Sequence, residues 1–452
     1  MGSTRLGHWE GHRLLRSPST ASQLDFLRLL VAGAFGYAGP PSVGVILAWM
    51  SVSTYGLTSA HHAAYAAWAL ALLGVSATVP TLVMAFFAGT LADRINRRRL
   101  LRISNGMALA GVALLAVVFY VYPSTHVLLP GPAGFYVPQW FLWILPMYAL
   151  VAVAAALSRP TLNSSIPQVV PREELGHATG VILSAGLIAS GVGSLSVGFL
   201  LTPWGPVLTL LIPLAFFEIA AIALATLESD VTGSRKGSNR SFASDMWGGL
   251  RYLGQRTGLL EITLASLGTN FFYAIAAVEI PLYVDDWLLQ GAVVLGAMTF
   301  VISVGTAIGS SAVNAVRYDR SPGLYLALCV VLTGLTLIVL PFTRSAYVAL
   351  GALAFFGFFI GMLTTIYLVV VQRNVPNELL GRVFAADEVG SFALIPVGQS
   401  VGGAITAIRG IAFTYWATGG SIAVLGGIMA GLRNLRQFAS GKDHYGAPSG
   451  AT

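Results

Sequence analysis

The sequence predicts an all-α membrane protein with twelve transmembrane helices, arranged as two six-helix bundles with pseudo-two-fold symmetry. Three observations predict it: the composition, twelve long apolar runs, and a loop sequence that recurs about half a chain later. Of the 452 residues, 56% are hydrophobic and only 10% are charged. In a soluble domain, roughly a quarter of all residues are charged. The composition therefore excludes an ordinary soluble protein.

Each of the twelve apolar runs is long enough to cross a bilayer, which takes about 20 residues in a helix. Only helices and closed barrels satisfy their backbone hydrogen bonds in lipid, and the runs are much longer than the roughly ten residues of a barrel strand. The predicted spans are residues 24–54, 61–92, 100–122, 138–158, 177–201, 204–227, 259–284, 290–315, 322–341, 346–371, 383–408 and 411–432.

The basic residues are distributed unevenly between the loops on the two sides. With the N-terminus inside, only Arg344 and Arg409 of the 25 lysines and arginines fall in external loops. The positive-inside rule therefore predicts a multi-pass protein of the cell (plasma) membrane with both termini in the cytoplasm. The net charge of +7 follows from this topology. It gives no support to nucleic acid as a partner.

One long polar interruption divides the twelve spans into six and six. Residues 228–257 predict a flexible connector that contains a short amphipathic helix at about 242–253. Val-Pro-Arg-Glu-Glu-Leu-Gly at 170–176 matches Val-Pro-Asn-Glu-Leu-Leu-Gly at 375–381, 205 positions later, which indicates a duplicated half. The predicted segments are a cytoplasmic arm at 1–23, a six-helix bundle at 24–227, the cytoplasmic connector at 228–257, a second bundle at 258–432 and a cytoplasmic tail at 433–452.

The loop between spans two and three reads Gly-Thr-Leu-Ala-Asp-Arg-Ile-Asn-Arg-Arg-Arg at residues 89–99. It resembles the Gly-x-Leu-Ala-Asp-Arg-x-Gly-Arg-Arg loop of the major facilitator superfamily of secondary transporters. Asn96 stands where the family usually has glycine. Because Asn tolerates a left-handed backbone better than most residues, we expect the turn to survive. Residues 159–171 and 375–384 are similar to the branch with macrolide-efflux and enterobactin-export proteins.

The resemblance implies a conformational latch on the cytoplasmic side. In the family, the aspartate of this loop engages the cytoplasmic end of span eleven. The matching residues here are Gly89, Asp93, Arg94 and Arg97 in the loop and Arg382 in span eleven. The alternative is that the arginines serve only as a topology signal.

Carboxylates inside spans are candidates for proton coupling, because a charge in hydrocarbon costs several kcal/mol. Glu279 lies near the external end of span seven, where a wet vestibule is the alternative. Glu218 in span six has apolar neighbours, so it is either a proton site or a buried helix-to-helix hydrogen-bonding group. Asp387 and Glu388 fall in the first turn or two of predicted span eleven, which favours capping and gating over substrate contact.

The substrate cavity is predicted from helix-breaking and aromatic residues. Gly39, Pro40 and Pro41 predict a kinked or open backbone in span one, which membranes tolerate where it faces protein or water. A packing kink is the alternative. Further cavity candidates, suited to an apolar or cationic ligand, are Asn270, Phe271, Tyr273 and Tyr367.

The sequence holds no Ser-His-Asp set, Walker loop, haem motif or metal-ligand spacing, so we predict neither an enzyme nor a cofactor or metal site. With the resemblance, the pattern predicts a monomeric secondary active transporter in the lipid bilayer that works by alternating access. The expected activity is proton-coupled efflux of an amphipathic small molecule, drug-like or siderophore-like. The alternatives are uptake or facilitated diffusion of a small metabolite, and a non-transporting sensor on the same fold.

Overall fold

The computed structural model describes residues 20–54, 62–94, 96–122, 128–130, 136–170, 174–227, 242–316 and 321–439. The helices before the connector are α1 (Thr20–Ser53), α2 (His62–Arg94), α3 (Arg97–Val121), α4 (Phe141–Val169), α5 (Leu175–Thr209) and α6 (Leu211–Ala225). Those from the connector onward are α7 (Phe242–Gly254), α8 (Thr257–Val278), α9 (Ile280–Leu282), α10 (Ala292–Ala312), α11 (Pro322–Val339), α12 (Ala346–Asn374), α13 (Asn377–Arg409), α14 (Ile411–Gly431) and α15 (Arg433–Ala439).

The helices confirm the twelve predicted spans. In the described residues, eleven helical segments are long and apolar enough to cross a membrane, and the shorter apolar α6 supplies the twelfth. Spans five and six are separated at Gly205, whose φ of 69° is favourable for glycine and strained for other residues. Pro206 begins the sixth span, so residues 206–209 at the end of α5 belong to this span together with α6. The predicted boundary at 201–204 therefore lies within a few residues of the turn.

Two short strands were not predicted. β1 (Leu128–Pro130) and β2 (Tyr136–Pro138) form an antiparallel pair in the connection between α3 and α4, with Leu129 opposite Val137. They lie outside the spans, so the all-α fold class holds for the membrane region.

Helices α1–α6 form an N-terminal bundle and α8–α14 a C-terminal bundle. In the first, α1 packs on α5 and α6, and α4 packs on α2 and α3. In the second, α12 packs on α10 and α11, α11 on α14, and α8 on α13. The two bundles meet mainly along α5 with α10 and along α2 with α13. We call the membrane side that carries the α2–α3 connection the basic side, and the other the opposite side.

The bundles are closed against each other in the half nearest the opposite side. A Cβ atom added at Gly198 of α5 would lie 2.6 Å from the Ala292 carbonyl oxygen and 3.0 Å from the Gly296 Cα of α10. On α13, a Cβ at Gly403 would lie 2.8 Å from the Ala71 Cβ of α2. Small residues thus bring the backbones together, as is usual for helices in membranes.

A polar contact lies near the middle of the same interface. The Thr78 hydroxyl of α2 donates to the Gln399 side-chain oxygen of α13 at 3.3 Å. One turn away, Gly74 leaves room for the same carboxamide, since a Cβ there would lie 2.7 Å from the Gln399 Cδ. The inter-bundle contacts of the described glycines all lie from mid-membrane to the opposite side.

The interrupted helix is in span seven and not in span one. Thr20–Ser53 is helical throughout, despite Pro40 and Pro41, so the predicted opening of that backbone is wrong. In span seven, α8 ends at Val278, and a π-helical turn, Tyr283–Trp287, follows α9. Pro281 explains this break, because it has no N–H to donate to the carbonyl four residues earlier.

The connector contains the predicted amphipathic helix, α7. Its Trp247 is 71% exposed, while Gly248 faces α13, where a Cβ would lie 3.5 Å from the Arg382 side chain. The helix thus packs along the basic end of α13. The boundaries of the five predicted segments remain a prediction.

Candidate functional site: a polar cavity and a buried carboxyl in the C-terminal bundle

The predicted latch falls at the junction of α2 and α3. Gly89, Asp93 and Arg94 lie in the last turns of α2, and Arg97 opens α3. The side chains of Asp93, Arg94 and Arg97 lie outside the described residues. Arg382 lies on α13 against the connector helix. The latch between the loop and Arg382 therefore stays a prediction.

Asn96 caps α3, and its backbone is not left-handed. Its φ and ψ are −54° and 123°, and its side-chain oxygen accepts from the backbone N–H groups of Arg98 at 2.9 Å and Arg99 at 3.4 Å. Asparagine satisfies two of the free N–H groups at the start of α3. The Arg98 guanidinium donates to the Ala225 carbonyl at 2.6 Å, at the negative end of the α6 dipole.

Gly39 packs against α6, which favours the packing alternative over a cavity at this position. A Cβ there would lie 2.4 Å from the Phe217 ring of α6. Pro40 and Pro41 continue the same helix and line neither of the two bundle cavities described below. The ring of Phe217 occupies the space that a side chain at position 39 would need. This part of α1 therefore packs against α6 of its own bundle.

Glu279 lies at the break in span seven and is fully buried, which excludes the wet-vestibule alternative in this conformation. In the described residues, neither carboxyl oxygen has a hydrogen bond of normal geometry. Its polar neighbours are the Thr406 hydroxyl of α13 and Tyr415 of α14. Thr406 is bonded to the Thr414 hydroxyl at 2.8 Å. The carboxyl thus faces a hydroxyl that already has another partner.

Aromatic side chains cover the π-helical turn that follows Glu279. The Tyr283 hydroxyl donates to the Leu340 carbonyl at 2.9 Å, and the Trp287 indole N–H donates to the Thr343 carbonyl at 2.9 Å. The Arg344 guanidinium lies 3.7 Å from the centre of the Trp287 ring, in a cation–π arrangement. These contacts close the C-terminal bundle at the opposite side.

Glu218 is exposed on the outer face of α6, which excludes the alternative of a buried helix-to-helix hydrogen-bonding group. The buried face of α6 includes Phe217, Ala220 and Leu224. Glu218 and Ile222 belong to the exposed face. The sequence could not make this distinction, because both faces of α6 are apolar around Glu218.

Asp387 and Glu388 lie about three turns inside α13 and do not cap it, contrary to the prediction. The helix begins at Asn377, ten residues before Asp387, because Pro376 starts it earlier than the hydropathy suggested. The two side chains then separate. Glu388 is exposed, whereas Asp387 lines a cavity inside the C-terminal bundle.

This cavity, which we call the C-bundle cavity, has a volume of about 260 Å³. Three of the predicted substrate-cavity residues, Asn270, Tyr273 and Tyr367, line it, and their contact with a substrate stays a prediction. Phe271 is not among its lining residues and packs edge-on against Phe272, with ring centres 5.2 Å apart. The cavity is lined by Ile262, Ala265, Ser266, Thr269, Asn270, Tyr273, Leu326, Val330, Ile360, Leu363, Thr364, Tyr367, Asp387 and Met429.

Sequence reasoning missed the hydroxyl and amide groups that complete these sites. Thr406 beside Glu279, Ser266 beside Asp387 and Gln399 between the bundles were not singled out. Single hydroxyl residues are common in spans, where they bond to their own helix, so type alone does not mark them. Of these three residues, Gln399 was the one that the sequence could have revealed, because it is an amide in the middle of an apolar run.

The comparisons with known proteins agree with this architecture. The family profile described as Major Facilitator Superfamily matches residues 26–398. The chain belongs to this superfamily. The crystal structure of a D-xylose-proton symporter superposes with a TM-score of 0.67, at 14% identity, and covers 91% of this chain and 97% of its own. That likeness supports the fold of the superfamily.

Three relatives extend over most of the chain. The multidrug efflux pump Tap of Mycolicibacterium fortuitum is 24% identical over 379 residues, covering 81% of this chain and 88% of the relative. Macrolide efflux protein A of Streptococcus pyogenes is 22% identical over 337 residues, covering 74% and 79%. The enterobactin exporter EntS of Shigella boydii is 23% identical over 383 residues, covering 81% and 85%. The predicted branch is confirmed at this level of similarity.

Proposed function

We propose that this superfamily member is a secondary active transporter that exports an amphipathic organic compound by alternating access, coupled to inward proton movement. In this proposal the protein lies in the plasma membrane with its basic side towards the cytoplasm, following the positive-inside rule. The names of the three relatives, two efflux proteins and an exporter, support export over uptake.

The closure between the bundles near the opposite side is the observation that carries this function. Alternating access requires two bundles that close on one side of a central site and separate on the other. The contacts of Gly198 and Gly296 close the interface near the opposite side. Backbone contacts between small residues interlock few side chains, so the bundles can separate there without repacking a core. The conformation then corresponds to a transporter closed to the outside.

Glu279 is the best-supported proton carrier, because it is linked to this closure. Its neighbour Thr406 lies on α13, one turn from Gly403, which contacts α2 across the bundle interface. When Glu279 carries a proton, the carboxyl can donate to Thr406; when it does not, it can only accept. When Thr406 donates to the ionised carboxyl, it can no longer donate to Thr414 and can only accept from it. Proton transfer at Glu279 would thereby bias the α2–α13 contact.

Transport into proteoliposomes with an imposed pH gradient tests both the export of an amphipathic compound and its coupling to protons through Glu279. Rhodamine 6G and erythromycin serve as amphipathic probes. We expect wild-type protein to move at least one probe against its gradient when the proton gradient runs the other way, and Glu279→Gln to reduce gradient-driven movement at least tenfold. Glu218→Gln is the matched control, since that carboxyl is exposed on the outer face of α6, and it should retain wild-type rates.

Three outcomes would contradict the proposal. Probe movement that ignores the pH gradient would refute proton coupling. Accumulation of a probe in the same direction as the protons would favour the uptake alternative. Equal rates in Glu279→Gln and wild type would remove Glu279 as the carrier while leaving export intact.

A further inference from the structure

The C-bundle cavity has a counterpart in the N-terminal bundle, and the two differ in chemistry. The counterpart is lined by residues of α1, α3, α4 and α6 and has a volume of about 30 Å³, which is room for about one water molecule. A shift of 205 positions relates the lining residues of α4 and α12, namely Ala155, Ser158, Arg159 and Leu162 to Ile360, Leu363, Thr364 and Tyr367. A shift of 233 positions relates those of α1 and α8, namely Ala32, Gly33, Gly36 and Tyr37 to Ala265, Ser266, Thr269 and Asn270.

In the N-terminal bundle, three apolar residues, Gly33, Leu162 and Ile182, pack together at the counterpart cavity. A Cβ at Gly33 would lie 3.0 Å from the Leu162 side chain and 3.1 Å from that of Ile182. The corresponding positions of the C-terminal bundle, found by the same shifts, hold a polar trio: Ser266, Tyr367 and Asp387. The fold is therefore stable with apolar residues at these positions. The polar trio is an addition of the C-terminal bundle, and not a requirement of packing.

The polar groups at these positions lie close to one another, but several of their atoms have no hydrogen bond of normal geometry. In the described residues, the Tyr367 hydroxyl, the Thr263 hydroxyl next to it and the Asp387 Oδ1 atom are all buried without a hydrogen bond of normal geometry. A buried polar group that stays unsatisfied destabilises the protein. On the other wall, the Asn270 amide donates to the Ser391 hydroxyl at 3.2 Å, which holds it in place. The open groups point to a polar occupant.

Charge and size restrict that occupant. Among the described residues that line the cavity, Asp387 is the only charged one, so an ionised Asp387 can pair with one positive charge. At about 260 Å³ the cavity is several times larger than the roughly 30 Å³ share of one water. Tyr273 and Tyr367 offer aromatic rings, and Leu326 and Val330 an apolar wall. These features together suit a substituted ammonium with an apolar body.

The cavity lies in the half of the bundle nearest the basic side. Ile262 is five residues from the start of α8, Tyr367 is seven from the end of α12, and Met429 is two from the end of α14. The inter-bundle contacts of the described glycines do not extend into this half. A compound arriving from the basic side would therefore meet the cavity before it met the closed half.

We infer that the C-bundle cavity binds the protonated amine of a small amphipathic compound, with Asp387 as the counter-charge and Tyr367 and Ser266 as hydrogen-bonding partners. That this compound is the cargo depends on the proposed function; the binding itself does not.

Calorimetric titration of the detergent-purified full chain tests the inference with two probes of matched shape. 1-Naphthylmethylamine carries the charge, and 1-naphthalenemethanol is its neutral counterpart. We expect the wild-type protein to prefer the amine at least tenfold, and Asp387→Asn to lose this preference while binding the alcohol as before. Tyr367→Phe should weaken amine binding severalfold. Glu218→Gln, which removes an exposed carboxyl of the other bundle, should change either affinity less than twofold.

Equal binding of the two probes to wild type, no binding of the amine, or an undiminished preference in Asp387→Asn would each overturn the inference. Because Asp387→Asn keeps the size of the side chain, its binding of the alcohol also reports that the variant is folded. Failure of the proposed function is distinguishable, since it would appear in proteoliposomes as absent export although the amine still binds through Asp387.

Discussion

Replacing Gly198 with alanine is expected to open the closed half of the bundle interface. The new Cβ would lie 2.6 Å from the Ala292 carbonyl oxygen and 3.0 Å from the Gly296 Cα. Both neighbours are backbone atoms of α10, so they cannot rotate away, and α5 and α10 must move apart. Overpacking of this kind costs about 1–3 kcal/mol. Because the cost applies only in the closed conformation, the equilibrium should shift towards the open one by roughly 5- to 150-fold.

Gly180→Ala is the matched control on the same helix. A Cβ at that position meets nothing within 4 Å. Both substitutions raise helix propensity by up to about 1 kcal/mol, but this gain is the same in the two conformations and cancels. A difference between the variants therefore reports the contact with α10 alone.

Spin labels on the opposite side provide the measurement. Thr202→Cys, after Gly198 on α5, and Gln290→Cys, before α10, are both exposed. The natural cysteine, Cys329, is buried and is replaced by serine as a precaution. We expect pulsed electron spin resonance to give a longer main distance, or a larger long-distance fraction, in Gly198→Ala. Identical distance distributions for Gly198→Ala and Gly180→Ala would refute the reasoning.

Two further predictions concern stability in detergent. Gly39→Ala should lower the melting temperature, because overpacking against the Phe217 ring costs about 1–3 kcal/mol, and Phe217→Leu should restore part of the loss; Gly36→Ala, with open space around it, is the control. If Gly39→Ala melted like Gly36→Ala, the assigned packing would be wrong. Arg98→Gln should destabilise by about 0.3–1 kcal/mol, because a cation at the α6 C-terminus is lost, whereas the exposed Arg99→Gln should not; similar melting of both variants would argue against this role.

The spans and the turns between them followed from sequence because lipid imposes simple conditions on them. A run of about 20 apolar residues must be helical, and the structure has helices at all twelve places. The connector helix was equally predictable, since it alternates apolar and polar faces like a helix at an interface. Errors appeared where backbone detail depended on one residue. Pro40 and Pro41 left α1 helical, whereas Pro281 interrupted span seven.

The candidate site was only partly predictable. Asn270, Tyr273 and Tyr367 were chosen as cavity residues and do line one cavity. The position of Asp387 in that cavity depended on where α13 begins, and hydropathy placed that start six residues too late. Glu218 and Glu279 looked alike in sequence, each an acid among apolar neighbours, yet one is exposed and the other fully buried.

The sequence by itself determined the number of spans, the uneven distribution of basic loops and the membership of a transporter superfamily. It could do so because the requirement for apolar length and the bias of basic residues act on each segment separately. Only the tertiary structure decided which side of each helix faces its bundle, which half of the interface is closed, and that Asp387 meets Tyr367. Helices in lipid are apolar on both their outer and inner faces, so the pattern that reveals the inner face of a soluble helix is absent.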